Sequence, residues 1–208
     1  MKVYTKRWLE IIVAIEGVDG SGKTTQARLL VNRLIDNGYD AIYIRPIFLL
    51  VNTISKLFFN NNLASVSPRR SRTSKTNQSN THLDIVFLPL AYIYASVTYI
   101  FIRTIYRKKV VVCDRYFYQF FYDLCGSNCA LLINRFPKPD VTFFLIGDLD
   151  LLYSRMDSSF DSQVCREYYY NVLNMYSIIS DTSRSIRINA DKSKEHINDE
   201  IFNNVIKL

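Results

Sequence analysis

One short stretch of the chain has the residue types and the spacing that bind a triphosphate. Residues 17–24 read GVDGSGKT, which fits the pattern G-x-x-x-x-G-K-[ST] in full. Glycines let such a loop wrap closely around phosphate oxygens and point its N–H groups at them, and the helix that follows adds a favourable dipole. We expect Lys23 to reach the β- and γ-phosphates and the Thr24 hydroxyl to bind Mg²⁺. The predicted triphosphate-binding residues are Gly17, Gly20, Ser21, Gly22, Lys23, Thr24 and Thr25.

This loop predicts a bound nucleoside triphosphate without choosing between a kinase, a GTPase and a motor ATPase. A GTPase needs an N-K-x-D motif late in the chain, and the nearest sequence, NADK at residues 189–192, does not fit it. Helicase-type and ring-forming ATPases are usually longer than this chain of 208 residues and need further arginine motifs. A compact chain with several candidate phosphate-binding arginines favours a small-molecule kinase.

Apolar strand-like runs alternate with helix-length segments along the chain. The five predicted strands are Ile11–Ile15, Ala41–Arg45, Val110–Cys113, Val141–Ile146 and Ile186–Asn189. Strands separated by helical crossovers are typical of a parallel sheet with helices on both faces, so we predict a P-loop α/β three-layer sandwich. The length favours one domain over residues 1–208, with a single core.

Two segments interrupt this alternation. Residues 60–80 are polar, with four basic residues and no acidic one; we predict a flexible loop over 60–81, in preference to a nucleic-acid-binding loop. The run Ile85–Ile102 holds eighteen residues without a charge, which is the lower bound for a membrane span. Because this run connects the second strand to the third, we predict a central helix buried on most sides in preference to a membrane association.

The composition is that of a globular protein with an excess of basic residues. The net charge is +7, which suits phosphorylated ligands. The 4 cysteines form no CxxC pair, and only 2 histidines accompany them. This argues against a zinc site and against a disulfide framework, and it favours a reducing cytoplasm.

Three further sequences, EGVDGSGKTTQ, VVVCDRY and FPKPDVTFFL, occur in the order and with the spacing found in thymidylate kinases. The chain resembles that family from about Glu10 to its C-terminus, with the weakest match over Pro46–Lys109. The resemblance implies a five-stranded parallel sheet, the use of ATP and Mg²⁺, and phosphoryl transfer to dTMP to give dTDP. Because thymidylate kinases are commonly dimers, it also implies a homodimer, for which the uncharged helix is a candidate interface.

The resemblance assigns roles to acidic and basic residues beside the loop. Asp19 matches the acidic residue that meets the 3′-hydroxyl of the acceptor deoxyribose, and Glu16 matches a residue that supports the loop or the metal shell. Asp114 ends the third strand, where it would hold Mg²⁺ with Thr24. Arg115 follows and would bridge the donor and acceptor phosphates, stabilising the charge that spreads during transfer.

Arginines from other parts of the chain complete the implied set. Arg45 ends the second strand, where the family carries an arginine that contacts the acceptor phosphate. Family members without an arginine in the phosphate loop supply one from a lid after the fourth strand, and this loop has none. Residues 156–163 are the predicted lid, and either Arg155 or Arg166, which flank it, would be the catalytic lid arginine.

The acceptor pocket departs from the family pattern. Thymidylate kinases carry an arginine on the helix before the third strand, and here no arginine occurs between Arg72 and Arg103. That helix offers Tyr92 and Tyr94 for stacking on a base, and Gln119 is a candidate hydrogen-bond partner for it. Two alternatives therefore stay open. One is a kinase of another nucleotide or of a nucleoside. The other is an ATP-binding interaction module that has lost acceptor chemistry and uses its basic loop on nucleic acid or its uncharged helix at a membrane.

Overall fold

The computed structural model describes most of the predicted elements. The ranges described are 10–49, 81–126, 133, 135–156, 166–180 and 184–208, with the backbone alone at 81–87, 124 and 125. The predicted basic loop at 60–80 and the predicted lid from residue 157 to residue 163 lie outside these ranges. The single domain over residues 1–208 stays a prediction.

Five parallel strands form one sheet in the order β2-β3-β1-β4-β5. They are β1 (Ile11–Gly17), β2 (Ala41–Ile44), β3 (Val110–Asp114), β4 (Val141–Ile146) and β5 (Ser185–Asn189). Every predicted strand is confirmed to within two residues at each end, and the predicted α/β fold class is confirmed. Every residue of β1 and of β3 is buried, because a parallel sheet covered on both faces hides both sides of its central strands.

Six helices accompany the sheet in the described part of the chain, where residues 46–49, 133 and 135 are helical as well. They are α1 (Lys23–Asp36), α2 (Thr81–Ile105), α3 (Tyr118–Cys125), α4 (Leu149–Ser154), α5 (Arg166–Ile179) and α6 (Lys194–Val205). α1 packs against α6, and α2 packs against α3. The Phe144 ring of β4 lies 5.6 Å from the ring of Tyr118 on α3 and 5.2 Å from that of Tyr176 on α5. These contacts form the aromatic part of the core.

The prediction that the uncharged helix is buried on most sides is wrong. Among residues 88–105 of α2, the buried ones are Ala91, Ala95, Thr98 and Ile102. A stripe on α2 is exposed instead, consisting of Leu90 (57%), Ile93 (58%), Val97 (48%) and Ile100 (60%). Their spacing of three and four residues puts these four side chains on one face of the helix. Absence of charge cannot by itself distinguish a core helix from one with an apolar outer face, and this is why the predicted burial of the helix was wrong.

Length and composition alone would let the same helix cross a membrane. The segment Leu88–Ile105 has a mean hydropathy of 1.3, and 22% of it is buried. Core helices of soluble proteins also reach such values, so the hydropathy does not decide where the exposed stripe docks.

The sheet brings the predicted site residues to one edge. In the parallel register Ile15 of β1 pairs with Asp114 of β3, and Glu16 pairs with Phe144 of β4. The chain order reverses around β1, and in open α/β sheets ligands bind at the carboxyl ends of the strands at such a point. The loop that follows β1 therefore starts beside the Asp114 end of β3.

Candidate active site

The phosphate loop leaves no room for a side chain at Gly20. Its φ is +80°, and a Cβ there would lie 2.2 Å from the Leu152 carbonyl oxygen of α4. Gly22, with φ +85° and no atom within 4 Å of a Cβ, enters α1, whose Gln26 N–H donates to the Gly22 carbonyl at 2.9 Å. Because α4 packs this closely on the loop, a catalytic arginine cannot stand at position 20.

Lys23 lies at the first position of α1, under the loop. Its ammonium donates to the Val18 carbonyl and lies 3.5 Å from Asp19 Oδ1, with only 3% of the side chain exposed. Burial lowers the pKa of Lys23 to about 8, helped by the nearby positive charge of Arg115. Bound phosphate oxygens would offset that burial by supplying negative charge, so the geometry suits a triphosphate. Thr25, two residues after Lys23 on α1, is exposed.

Asp114 is the centre of a second group of contacts. Its Oδ2 accepts hydrogen bonds from the Thr24 hydroxyl at 2.8 Å, the Tyr43 hydroxyl at 2.5 Å and Arg45 Nε at 2.8 Å. Burial alone would raise the pKa of Asp114, but these donors outweigh burial and hold the pKa below its usual value. Asp114 is therefore a carboxylate at neutral pH.

The oxygens of Thr24 and Asp114 fit Mg²⁺. This cation takes oxygen ligands and is usually bound by one or two carboxylates together with substrate phosphates. The Oδ1 atom of Asp114 is buried and has no hydrogen-bond partner among the described residues, which leaves an acceptor beside Thr24. Among the residues that the structure describes, no group of three or more His, Cys, Asp or Glu side chains is arranged to hold a metal ion. A site with so few protein ligands suits a metal that arrives with a nucleotide.

Arg115 and Asp19 join the two sides of the loop. Arg115 has φ 66°, a left-handed conformation that is uncommon outside glycine, and its N–H donates to the Ile15 carbonyl at 3.1 Å. Its guanidinium forms an ion pair with Asp19, which also accepts from the Tyr169 hydroxyl at 3.4 Å. The Nε atom of Arg115 is buried and finds no acceptor among the described residues. An anion placed here would meet this unused donor.

Glu16 is fully buried and supports the backbone around Arg115. Its Oε1 accepts from the Tyr116 N–H, and its Oε2 accepts from the Tyr176 hydroxyl at 3.1 Å. Burial raises the pKa of Glu16 to about 7. Because protein donors engage both oxygens, the geometry favours the predicted supporting role over the predicted role in the metal shell.

The predicted base-stacking tyrosines have their hydroxyls bound to the backbone. Tyr92 donates to the Arg135 carbonyl at 2.9 Å, and Tyr94 donates to the Ile47 carbonyl at 2.5 Å. Both residues are half-buried. These hydrogen bonds hold both rings in place.

The two predicted lid arginines make contacts away from the loop. Arg155 Nη1 donates to the Ala190 carbonyl at 2.8 Å, and Arg166 pairs with Asp150 on α4. Within the described ranges neither arginine forms a hydrogen bond or an ion pair with a residue of the phosphate loop.

Tyr43 and Tyr168 reach the site although they were not predicted from the sequence. Tyr43 contacts Asp114, and Tyr168 accepts a hydrogen bond from Gln119 Nε2 at 3.0 Å. Tyr43 lies on β2, two residues before Arg45, which directly follows the strand; period-two alternation of the predicted strand Ala41–Arg45 places both on one face and could have identified Tyr43. No local signal connects Tyr168 to Gln119, because these residues are 49 positions apart.

Sequence comparison shows that the chain is similar to thymidylate kinases. The thymidylate kinase family model matches residues 15–46. A probable thymidylate kinase of Methanocaldococcus jannaschii is 28% identical over 199 residues, which cover 92% of this chain and 94% of the relative. Thymidylate kinases of Exiguobacterium and Plasmodium falciparum are 27% and 26% identical, covering 95% and 94% of this chain and 94% and 90% of their own lengths. The resemblance inferred from the three sequence motifs is confirmed.

Proposed function

We propose that this chain, which is similar to thymidylate kinases over most of its length, transfers the γ-phosphoryl group of ATP to dTMP, giving ADP and dTDP. The observation that carries the proposal is the ion-pair cluster in which Asp19 meets both Lys23 and Arg115. This cluster places an acidic residue inside the phosphate loop, where an acceptor hydroxyl can meet it. Two cations on either side are then available to neutralise phosphates.

On the donor side, loop N–H groups and Lys23 bind the β- and γ-phosphates. Thr24 and Asp114 would hold Mg²⁺, which neutralises charge on the phosphate oxygens when bound. Lys23 is the residue that gains most from this ligand, because phosphate charge offsets the burial that lowers its pKa to about 8.

On the acceptor side, Arg45 and Arg115 bind the monophosphate and Asp19 meets the deoxyribose 3′-hydroxyl. An oxygen of the acceptor phosphate forms the new bond to the γ-phosphorus, and the bond from that phosphorus to the bridging oxygen breaks with its electron pair leaving on ADP. The acceptor phosphate is already an anion, so no strong general base is required. Positioning and charge neutralisation supply most of the catalysis.

A lid arginine completes the proposed charge neutralisation. Arg166 pairs with Asp150 in a setting where both side chains are largely exposed, at 60% and 70%. Exposed ion pairs contribute about 0–1 kcal/mol, so releasing this one costs little. Arg155 contacts a neutral carbonyl, and it too can turn toward a triphosphate. Both residues therefore stay candidates for this role.

The exposed stripe on α2 supports a homodimer. Leu90, Ile93, Val97 and Ile100 form a continuous apolar face on the outside of the molecule. Light scattering on the purified protein should give twice the mass of one chain. The double variant Ile93→Glu, Ile100→Glu should have the mass of a single chain. A monomer that binds anionic vesicles through the same face would replace this proposal with a membrane association. The cytoplasmic location inferred from the cysteines stays a prediction.

The test of the proposed function is product identification. Purified protein with ATP, Mg²⁺ and dTMP should yield dTDP and ADP in equal amounts by ion-exchange chromatography. Lys23→Met should abolish product, whereas Lys207→Met, which removes an equal charge from an exposed residue after the end of α6, should not. Formation of dTMP from thymidine without formation of dTDP would assign the chain to the nucleoside kinases instead.

A further inference from the structure

Gln119 is a buried residue whose side-chain carbonyl oxygen has no hydrogen-bond partner among the described residues. The residue lies on α3, four positions after Arg115, and is 6% exposed. Its Nε2 donates to the Tyr168 hydroxyl oxygen at 3.0 Å. Among the described residues, nothing donates to its Oε1. The Oε1 atom is also not among the fully buried polar atoms that lack a partner in the described residues, so it is accessible and can accept a hydrogen bond from a ligand.

Two neighbours fix which end of the amide is unused. The Tyr168 hydroxyl donates to Asp123 Oδ1, and an ionised carboxylate can only accept. The hydroxyl proton therefore points at Asp123, and the Tyr168 oxygen must accept from the –NH₂ group of Gln119. Flipping the amide would set two oxygens against each other with no proton between them. Asp123 and Tyr168 thus orient the amide with its carbonyl oxygen presented.

The Tyr168 ring is held in place by its neighbours. It stands edge-on to the ring of Tyr122 at 6.0 Å and to that of Tyr169 at 5.4 Å. Tyr169 in turn donates to Asp19, the residue that the proposed function places at the acceptor sugar. The start of α5 therefore connects the Gln119 amide with the acceptor side of the phosphate loop.

We propose that Tyr168 is a specificity-determining residue that, with Asp123, orients Gln119 so that its Oε1 accepts the N3–H of a thymine or uracil ring. This inference rests on the proposed function. Thymine and uracil carry a proton on N3, whereas the N3 atom of cytosine is an acceptor and would face another acceptor. The hydrogen bonds from Gln119 through Tyr168 to Asp123 therefore favour dTMP and dUMP over dCMP. They do not distinguish dTMP from dUMP.

The test compares kcat/KM for dTMP, dUMP and dCMP in the wild type and in Tyr168→Phe. Removing the hydroxyl frees the amide to flip, so the dTMP-to-dCMP ratio should fall roughly tenfold, mainly through KM. The dTMP-to-dUMP ratio should not change. Tyr170→Phe is the matched control, because Tyr170 lies on the same helix and is 56% exposed. A dTMP-to-dCMP ratio that stays within twofold of the wild type in Tyr168→Phe overturns the inference.

Two further measurements keep the outcome interpretable. Asp123→Ala removes an exposed acceptor and lets the Tyr168 hydroxyl turn, so it should shift the same ratio in the same direction even if Tyr168→Phe fails to fold. Calorimetry with dTMP and dCMP distinguishes failure of the proposed kinase activity from failure of the inference about Tyr168. Binding without phosphoryl transfer contradicts the kinase activity. The ratio of the two dissociation constants, compared between wild type and Tyr168→Phe, still tests the role of Tyr168. A wild type that binds both nucleotides equally, or neither, overturns the inference about Tyr168.

Discussion

The Arg45 guanidinium and the Thr24 hydroxyl share one oxygen of Asp114. Arg45 Nε and Thr24 Oγ1 each lie 2.8 Å from Asp114 Oδ2, and Arg45 Nη2 lies 3.1 Å from Thr24 Oγ1. The guanidinium thus covers Asp114 Oδ2 and the Thr24 hydroxyl, and a metal held by Asp114 Oδ1 and the Thr24 hydroxyl cannot share that hydroxyl with it. Arg45 must move when the metal binds, and an acceptor phosphate is an anion that can draw it away.

This relationship predicts that the donor and acceptor bind cooperatively. A non-hydrolysable ATP analogue with Mg²⁺ should bind the wild type about five- to tenfold more tightly when dTMP is present, and dTMP should gain equally from the analogue. In Arg45→Ala the ATP analogue should bind tightly even without dTMP, and adding dTMP should no longer increase its affinity. Titration calorimetry measures both affinities. Arg33→Ala, which removes an equal charge from the partly exposed side of α1, should keep the wild-type coupling. An unchanged coupling in Arg45→Ala would contradict the proposed movement of Arg45.

Arg45 should also matter for the acceptor phosphate itself. Arg45→Ala should lower kcat/KM for dTMP by about 10- to 100-fold, because a hydrogen-bonded charge pair with the phosphate is lost. Steady-state kinetics with dTMP varied at saturating ATP measures this. A variant that turns over dTMP normally would show that Arg45 serves the metal site alone.

Glu16 predicts a specific dependence of stability on pH. Its pKa of about 7 in the folded protein lies above the ordinary value of 4.5. Between these values the unfolded chain has released the proton while the folded chain keeps it, so the free energy of unfolding falls as the pH rises from 4.5 to 7. The loss is complete above pH 7 and amounts to roughly 3 kcal/mol.

Glu16→Gln cannot ionise and should escape that loss. Its melting temperature relative to the wild type should rise between pH 5 and pH 8. Lys23 is present in both proteins, so its titration largely cancels in the difference. Glu195→Gln, at an exposed site on α6, is the control and should track the wild type. A difference that stays constant over this pH range would show that Glu16 is ionised in the folded protein at all these values.

The two loop glycines predict different costs of adding a methyl group. Gly22→Ala should cost only the left-handed backbone penalty of about 1–2 kcal/mol, because nothing lies within 4 Å of the new Cβ. Gly20→Ala carries that penalty and also sets its Cβ 2.2 Å from a backbone oxygen of α4. Thermal unfolding should therefore give a lower melting temperature for Gly20→Ala than for Gly22→Ala. Equal values would mean that α4 moves away freely.

The sequence predicted what local chemistry determines. The phosphate loop is a contiguous motif, and the Asp114–Arg115 pair ends an apolar strand, so both follow from short-range patterns. Strand alternation could have placed Tyr43 beside Arg45, but the contacts of Tyr168 join residues 45 and 49 positions apart, and only the folded chain brings them together. The outer face of α2 was predicted wrongly because an uncharged run looks the same whether it packs into a core or against another surface.

The most direct test of the account is an ADP-release assay with ATP and Mg²⁺ against dTMP, dUMP, the other monophosphates and thymidine. We expect turnover with dTMP and dUMP, much less with dCMP, and none with thymidine. Turnover with thymidine alone, or no turnover with any monophosphate by a protein that still binds ATP, would contradict the proposal that this chain is a thymidylate kinase.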